Sequence, residues 1–146
     1  MESGATFLYK EIITLGWSDT DQPFRFNELR LKLKVYEENR LILFDHYYQK
    51  PDQGINQSLM MEGYTHDGSF LIVTSNLQNE FLEKLSRQLQ QCQYDCRIGL
   101  SRFIPSAVII RVLGNHTDHI EHLFSECHRL TRQHLLKEPS IFLRKY

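Results

Sequence analysis

Thirteen consecutive residues in the last third of the chain, HTDHIEHLFSECH, combine the side chains that most often bind metal ions. The stretch covers residues 116–128 and holds four histidines, one cysteine and three carboxylates. Imidazole and thiolate groups are common ligands of zinc, copper and nickel. The stretch is therefore either a metal site or a helix that is rich in histidine.

Helical geometry separates these side chains in space, because each residue of an α-helix advances about 100° around the axis. One broad apolar stripe is predicted, and it is formed by Ile120, Leu123, Phe124, Cys127, Leu130 and Leu135. The thiol of Cys127 then lies in the core, and only His119 and His122 are near neighbours on the surface. Since a structural zinc site normally takes four ligands, we favour a solvated helix face over a metal site.

The other two cysteines, Cys92 and Cys96, lie four positions apart. Zinc-binding sequences prefer tighter pairs and need a second pair, which this chain lacks. We interpret both as thiols at the edge of the core. Three cysteines cannot all form disulfides, and this count favours a reducing, cytoplasmic compartment.

Enzyme motifs are not found in the sequence. Asp45–His46 and His66–Asp67 each place a carboxylate beside an imidazole, but neighbours along a strand point to opposite faces. No serine lies in a G-x-S-x-G segment, and neither G-x-G-x-x-G nor a P-loop occurs. The sequence therefore predicts a protein that is not an enzyme.

Glu11 has the most unusual setting of the carboxylates, because apolar residues surround it in the segment LYKEIITLG. In one strand register its side chain faces solvent, which is the common state of glutamate. In the other register it lies in a β-rich interior, where a carboxylate must be paired, bound to a cation or protonated. The sequence leaves both registers open.

Length and composition fit one globular domain that spans residues 1–146. The chain carries 17 basic and 18 acidic residues, a formal net charge of −1, which argues against a nucleic acid or an anionic membrane as partner. No apolar run is long enough to span a bilayer, and the first ten residues lack the features of a secretory signal.

The elements that position these residues change in type near residue 76. Residues 1–75 predict a strand at Thr6–Leu15, a hairpin of Leu29–Val35 and Leu41–Tyr48, a polar loop at Pro51–Ser58 and a buried strand at Phe70–Thr74. Residues 76–146 predict a helix from an N-cap at Asn76 to Cys92, strands at Arg97–Phe103 and Ala107–Leu113, and a helix from Thr117 to Leu136 that Pro139 stops. The predicted fold class is α+β, mainly β, with antiparallel strands followed by two C-terminal helices.

Several segments, taken in order, resemble the C-terminal half of the urease accessory protein UreD family, called UreH in some organisms. They are LYKEIITLG, PFRFNELRLKLKVY, MMEGYTHDGSFLIV, DCRIGLSRF, AVIIRVLG and the terminal FLRKY. The resemblance implies a β-helix-like stack of strands and a cytoplasmic chaperone. That chaperone would bind apo-urease, recruit UreF and the GTPase UreG, and assist nickel insertion while holding nickel only transiently.

The resemblance also implies roles for particular residues. Glu11 matches the acidic residue of the family's E-x-x-x-x-G segment and is the candidate for contact with passing nickel. The helix face that carries His119 and His122 is the candidate surface for a partner. The chain departs from the family at Trp17, where arginine is common, and at Asp21–Phe24, where Gly-Glu-x-Phe is common.

Family members carry a further β-rich half before the point that matches Met1. The strand at Thr6–Leu15 is therefore expected to have an exposed edge. Two alternatives to urease maturation stay open. A truncated, inactive UreD fragment would be insoluble alone, whereas a histidine-rich metal-binding protein or hydrolase would hold a metal ion tightly and stoichiometrically.

Overall fold

A computed structural model describes residues 4–14, 29–49 and 63–137 of the chain. Within them the elements are β1 (Phe7–Thr14), β2 (Leu29–Glu37), β3 (Arg40–Gln49), β4 (His66–Val73), α1 (Asn79–Gln90), β5 (Arg97–Ile104), β6 (Ala107–Gly114) and α2 (Thr117–His134). The predicted order of strands, helix, two strands and helix is confirmed. No helix in the described ranges is both long enough and apolar enough to cross a membrane.

The strands form two sheets, and every described pairing is antiparallel. One sheet has four strands in the order β1-β4-β6-β5, and the other is the β2–β3 hairpin. Neither sheet closes on itself within the described residues. The α+β, mainly β class with two later helices is therefore confirmed. Among the described strands, β1 lies at one edge of the four-stranded sheet. The interpretation of residues 1–146 as one domain stays a prediction.

The main core lies between the four-stranded sheet and the two helices. Helix α1 contributes Phe81, Leu85 and Leu89, and helix α2 contributes the predicted apolar stripe from Ile120 to Leu130. Leu135, the last predicted member of the stripe, follows the end of α2 and is half-buried. Helix α2 approaches β4 closely at Gly68. A Cβ atom there would lie 2.7 Å from Cγ2 of Ile120 and 2.9 Å from Cζ of Phe124, so the close packing requires glycine.

The hairpin covers the opposite face of the sheet through a smaller apolar group. Val35 of the hairpin is buried with Leu71, Val73 and Ala107 of the sheet, and we call these four residues the hairpin-side cluster. The strands are joined at Glu38–Asn39, where both residues have positive φ angles of 45° and 66°. Positive φ at both central residues is the requirement of a type I′ turn, which suits the twist of a hairpin.

Several predicted boundaries are wrong. Strand β4 begins at His66 rather than Phe70, and helix α1 ends at Gln90 rather than Cys92. The N-cap of α1 is Gln78, without a side-chain cap bond, and not Asn76. Helix α2 ends at His134 rather than Leu136. The predictions for Pro51–Ser58, for residues 16–24 and for the terminal FLRKY lie outside the described residues.

Candidate functional site

A cavity of about 120 Å³ lies between the hairpin and the four-stranded sheet. Its lining combines three carboxylates, two basic side chains and several apolar groups: Tyr9, Glu11, Ile13, Leu31, Lys32, Leu33, Asp45, Asp67, Ser69 and Arg111. These residues come from five strands, β1, β2, β3, β4 and β6. Side chains that lie as far apart in sequence as Glu11 and Arg111 therefore share one polar space.

Strand register explains why Glu11 belongs to this cavity. Glu11 pairs with Ser69, and Ser69 pairs with Arg111, so the three lie side by side across β1, β4 and β6. Asp67 lies two residues from Ser69 and shares its face of β4, because side chains alternate along a strand. The neighbour of Glu11, Lys10, points the other way and forms a 2.8 Å ion pair with Glu121 of α2.

The side chain of Glu11 is half-buried on the hairpin side of the sheet. The hydroxyl of Tyr9 donates a hydrogen bond of 3.1 Å to its Oε2 atom. Burial, and then the negative charge of Glu11, raise the pKa of Tyr9 above its usual value, so Tyr9 remains a neutral donor. Of the two registers left open by the sequence, the structure has the one that turns Glu11 inward.

Arg111 joins the two layers beside this carboxylate. Its Nη2 atom lies 2.9 Å from Oδ2 of Asp45 on the hairpin, and its Nη1 atom donates to Oγ of Ser69 at 3.1 Å. The Arg111 and Asp45 side chains are 47% and 31% exposed. Solvent therefore screens the ion pair, and we expect it to contribute no more than about 1 kcal/mol.

Asp67 is the carboxylate that the cavity perturbs most clearly. Burial raises its pKa, Arg111 opposes that change, and the charges of Asp45 and Glu11 add to it. The cavity thus gathers negative charge in a partly dehydrated space, which attracts cations. Within the described ranges, no three His, Cys, Asp or Glu side chains are arranged to hold a metal ion.

Replacing Asp67 with asparagine is expected to stabilise the protein at pH 7. The pKa of Asp67 in the folded state is raised above the usual 3.8. The contribution of Asp67 to the free energy of unfolding therefore falls as the pH rises from 3.8 through the raised pKa. The advantage of Asp67→Asn should therefore shrink as the pH falls toward 3.8. Urea unfolding across a pH series measures the free energy of unfolding of both proteins.

The matched control for that series is Asp45→Asn, which removes the carboxylate that Arg111 binds. This variant should gain no stability at pH 7, because it loses an ion pair rather than a buried charge. An Asp67→Asn protein that is no more stable than the wild type at pH 7 would contradict the assignment of the raised pKa to burial.

Two histidines of α2, His119 and His122, contact the ring of Tyr94. The ring of His119 stacks on Tyr94 with centroids 4.2 Å apart, and His122 meets the edge of the same ring at 5.8 Å. His116 lies 4.7 Å from His119. His122 is exposed and points away from the core, as predicted, whereas His119 is half-buried. The prediction that only His119 and His122 are near neighbours is wrong, because His116 also lies beside His119.

The three thiols lie where the sequence placed them. Cys127 is fully buried, and burial raises its pKa to about 12. At neutral pH it is therefore an unreactive thiol. Cys92 and Cys96 are half-buried and pack against the edge of the main core.

The two carboxylate–imidazole neighbours do split between opposite faces, as predicted. Asp45 turns to the cavity, whereas His46 is exposed and stacks with Phe44, with centroids 6.1 Å apart. Sequence reasoning considered Asp45 and Asp67 only as partners of histidine and missed them, with Arg111, as neighbours of Glu11. The available signal was the alternation of β4, in which Asp67 and Ser69 share the face opposite His66.

The chain is similar to known proteins over nearly its whole length. The UreD urease accessory protein family matches residues 1–145. The chain is 36% identical over 146 residues to the urease accessory protein UreD of Bacillus sp. (strain TB-90), and 32% identical over 147 residues to that of Lachnoclostridium phytofermentans. It is 30% identical over 149 residues to the UreD protein of Staphylococcus epidermidis. In each case all of this chain aligns with 54% of the relative, so the chain spans about half the length of the curated relatives it matches.

Proposed function

The chain belongs to the UreD family of urease accessory proteins, and from this premise we propose that it assists nickel insertion into apo-urease together with UreF and UreG. Its relatives are named as accessory proteins rather than enzymes, and the chain acts by binding and not by catalysis. The proposed place of action is the cytoplasm. The observation that carries the proposal is the carboxylate-lined cavity around Glu11.

The chemistry of the cavity suits a cation that passes rather than one that stays. Carboxylates bind Ni²⁺ less strongly than imidazole or thiolate ligands do. Arg111 lies beside them and already neutralises Asp45. A divalent ion is thus attracted by Glu11 and Asp67 but meets no closed set of ligands among the described residues, and this combination keeps release fast.

The proposed partner surface is the exposed side of α2 that carries His119 and His122. Both imidazoles are positioned by Tyr94, so little side-chain freedom is lost when a partner covers them. Histidine at such a surface makes binding sensitive to pH near neutrality.

Replacing Glu11 with glutamine tests the nickel role directly. The change keeps the hydrogen bond from Tyr9 possible and removes one negative charge from the cavity. We expect urease that matures with the variant to contain less nickel and to lose activity by about tenfold or more, the usual scale for removing a group that tunes a metal site. Nickel per urease active site and urease activity are measured after co-expression with UreF and UreG.

The control for this experiment is Glu83→Gln, which removes an exposed carboxylate from α1 and should leave both readouts unchanged. Equal nickel contents for Glu11→Gln and Glu83→Gln would rule out the role of Glu11. Co-purification of each variant with UreF, UreG and apo-urease separates a loss of nickel delivery from a loss of assembly.

A further inference from the structure

The outer face of the β2–β3 hairpin turns away from the four-stranded sheet, and we call it the hairpin face. Its members are Arg30, Lys32, Lys34, Tyr36, Leu41, Phe44, His46 and Tyr48, of which Lys32 also borders the Glu11 cavity. Four of them, at positions 36, 41, 44 and 48, are large apolar or aromatic side chains that are 37–51% exposed. Among the described residues only one other large hydrophobic side chain is exposed to this degree, and such concentrations mark interaction sites.

Strand register arranges the hairpin face as two rows. Arg30, Lys32 and Lys34 of β2 lie opposite Tyr48, His46 and Phe44 of β3, respectively. The guanidinium of Arg30 lies 5.0 Å from the centre of the Tyr48 ring, and the ammonium of Lys34 lies 5.5 Å from that of Phe44. The two cations thus lie beside aromatic rings of the neighbouring strand.

The charge of this face is of one sign. Its charged members are basic, and neither Lys32 nor Lys34 forms an ion pair within the described part of the chain. Asp45, the acidic residue of β3, turns to the cavity instead. Alternate residues of a strand are about 6.6–6.8 Å apart, so the basic side chains form a regular row beside the aromatic one. The row is locally basic although the net charge of the chain is −1.

We propose that the hairpin face docks an acidic and partly apolar protein surface within the urease assembly, an inference that rests on the proposed function. Aromatic residues and arginine are enriched at protein interfaces, and complementary charge selects the partner and speeds its approach. A second copy of this chain is disfavoured as the partner, because the basic rows of the two copies would repel each other. A nucleic acid is disfavoured because half of the face is apolar.

The test measures binding of the full chain to three separate probes, apo-urease, UreF and UreG, at low and high salt. The charge variant Lys32→Glu/Lys34→Glu reverses the basic row, and Phe44→Ser removes the most exposed ring of the aromatic row. The control Lys84→Glu/Arg87→Glu makes the same change in net charge on the exposed side of α1. Thermal unfolding verifies that all variants remain folded.

We expect one probe to bind with an affinity that falls with added salt. Its binding should weaken about tenfold or more in both hairpin variants and stay unchanged in the α1 control. If that probe binds the hairpin variants as well as the wild type, the inference is overturned while the proposed function stands. If the wild type binds none of the three probes, both fail. The inference is also overturned if a 20-nucleotide uridine RNA displaces the probe from the wild type and does not bind the charge variant. In that case the hairpin face binds nucleic acid.

Discussion

Phe124→Ala should lower the free energy of unfolding by about 3–5 kcal/mol, the range for removing a buried aromatic ring. Phe124 is 1% exposed at the centre of the helix–sheet core. Its ring lies 5.4 Å from that of Phe70, and its Cζ atom would lie 2.9 Å from a Cβ atom at Gly68 of β4. The gap would therefore open against a rigid strand that cannot collapse to fill it. Urea unfolding followed by circular dichroism measures the loss.

The control for this prediction is His122→Ala, two residues earlier on the same helix and exposed. Surface substitutions of this kind usually change stability by no more than about 0.5 kcal/mol. A loss of less than about 1.5 kcal/mol for Phe124→Ala would mean that helix α2 repacks onto the sheet, contrary to the close contact described above.

Gly68→Val should cost about 1–3 kcal/mol or more, because it places atoms where the core is already full. Even the first added carbon would lie 2.7 Å from Cγ2 of Ile120, and that atom is fixed near the helix backbone. Helix α2 must therefore move away from the sheet. The same unfolding measurement gives the cost, and loss of near-ultraviolet dichroism reports the loosened packing.

A matched pair of variants separates crowding from the general effect of changing a strand glycine. Gly99 in β5 has nothing within 4 Å of an added Cβ, so Gly99→Ala should be close to neutral. A double-mutant cycle of Gly68→Ala with Phe124→Leu should show coupling, since the smaller side chain makes room for the new methyl group. Additive losses in that cycle would contradict a clash between these two positions.

The strands of the hairpin could be predicted from the sequence because their signal is local. Leu31, Leu33 and Val35 alternate with exposed basic residues, and the turn between the strands is short. The helix stripe through Phe124 and Cys127 is equally local, since it depends only on the 3.6-residue period.

The start of α1 could not be predicted in the same way. Asn76 has the right side chain for an N-cap, but Leu77 is drawn into the core before the helix begins. Arg102 of β5 then donates hydrogen bonds to the Leu77 carbonyl at 3.0 Å and to the Asn79 side chain at 2.7 Å. Contacts from another strand therefore set the boundary and override the local preference.

The candidate site was predictable only in its first member. Glu11 could be predicted as a site residue because its charge lies among apolar residues, which is again a local signal. Its neighbours Asp67 and Arg111 reach it through strand pairings that join residues far apart in sequence. Such register depends on which strands meet, and a single sequence does not specify that for β1, β4 and β6.

The two layers of the molecule differ in local stability, because the hairpin is attached to the four-stranded sheet by fewer contacts than the helices are. The hairpin pairs with no other described strand, and the hairpin-side cluster and the Arg111–Asp45 ion pair attach it to the sheet. The helices, by contrast, share the larger core. Partial unfolding that begins at the hairpin thus breaks the smaller set of contacts first and leaves the four-stranded sheet and the helices folded. In such a species the Glu11 cavity becomes an open groove, so solvent reaches its carboxylates by a local fluctuation rather than by global unfolding.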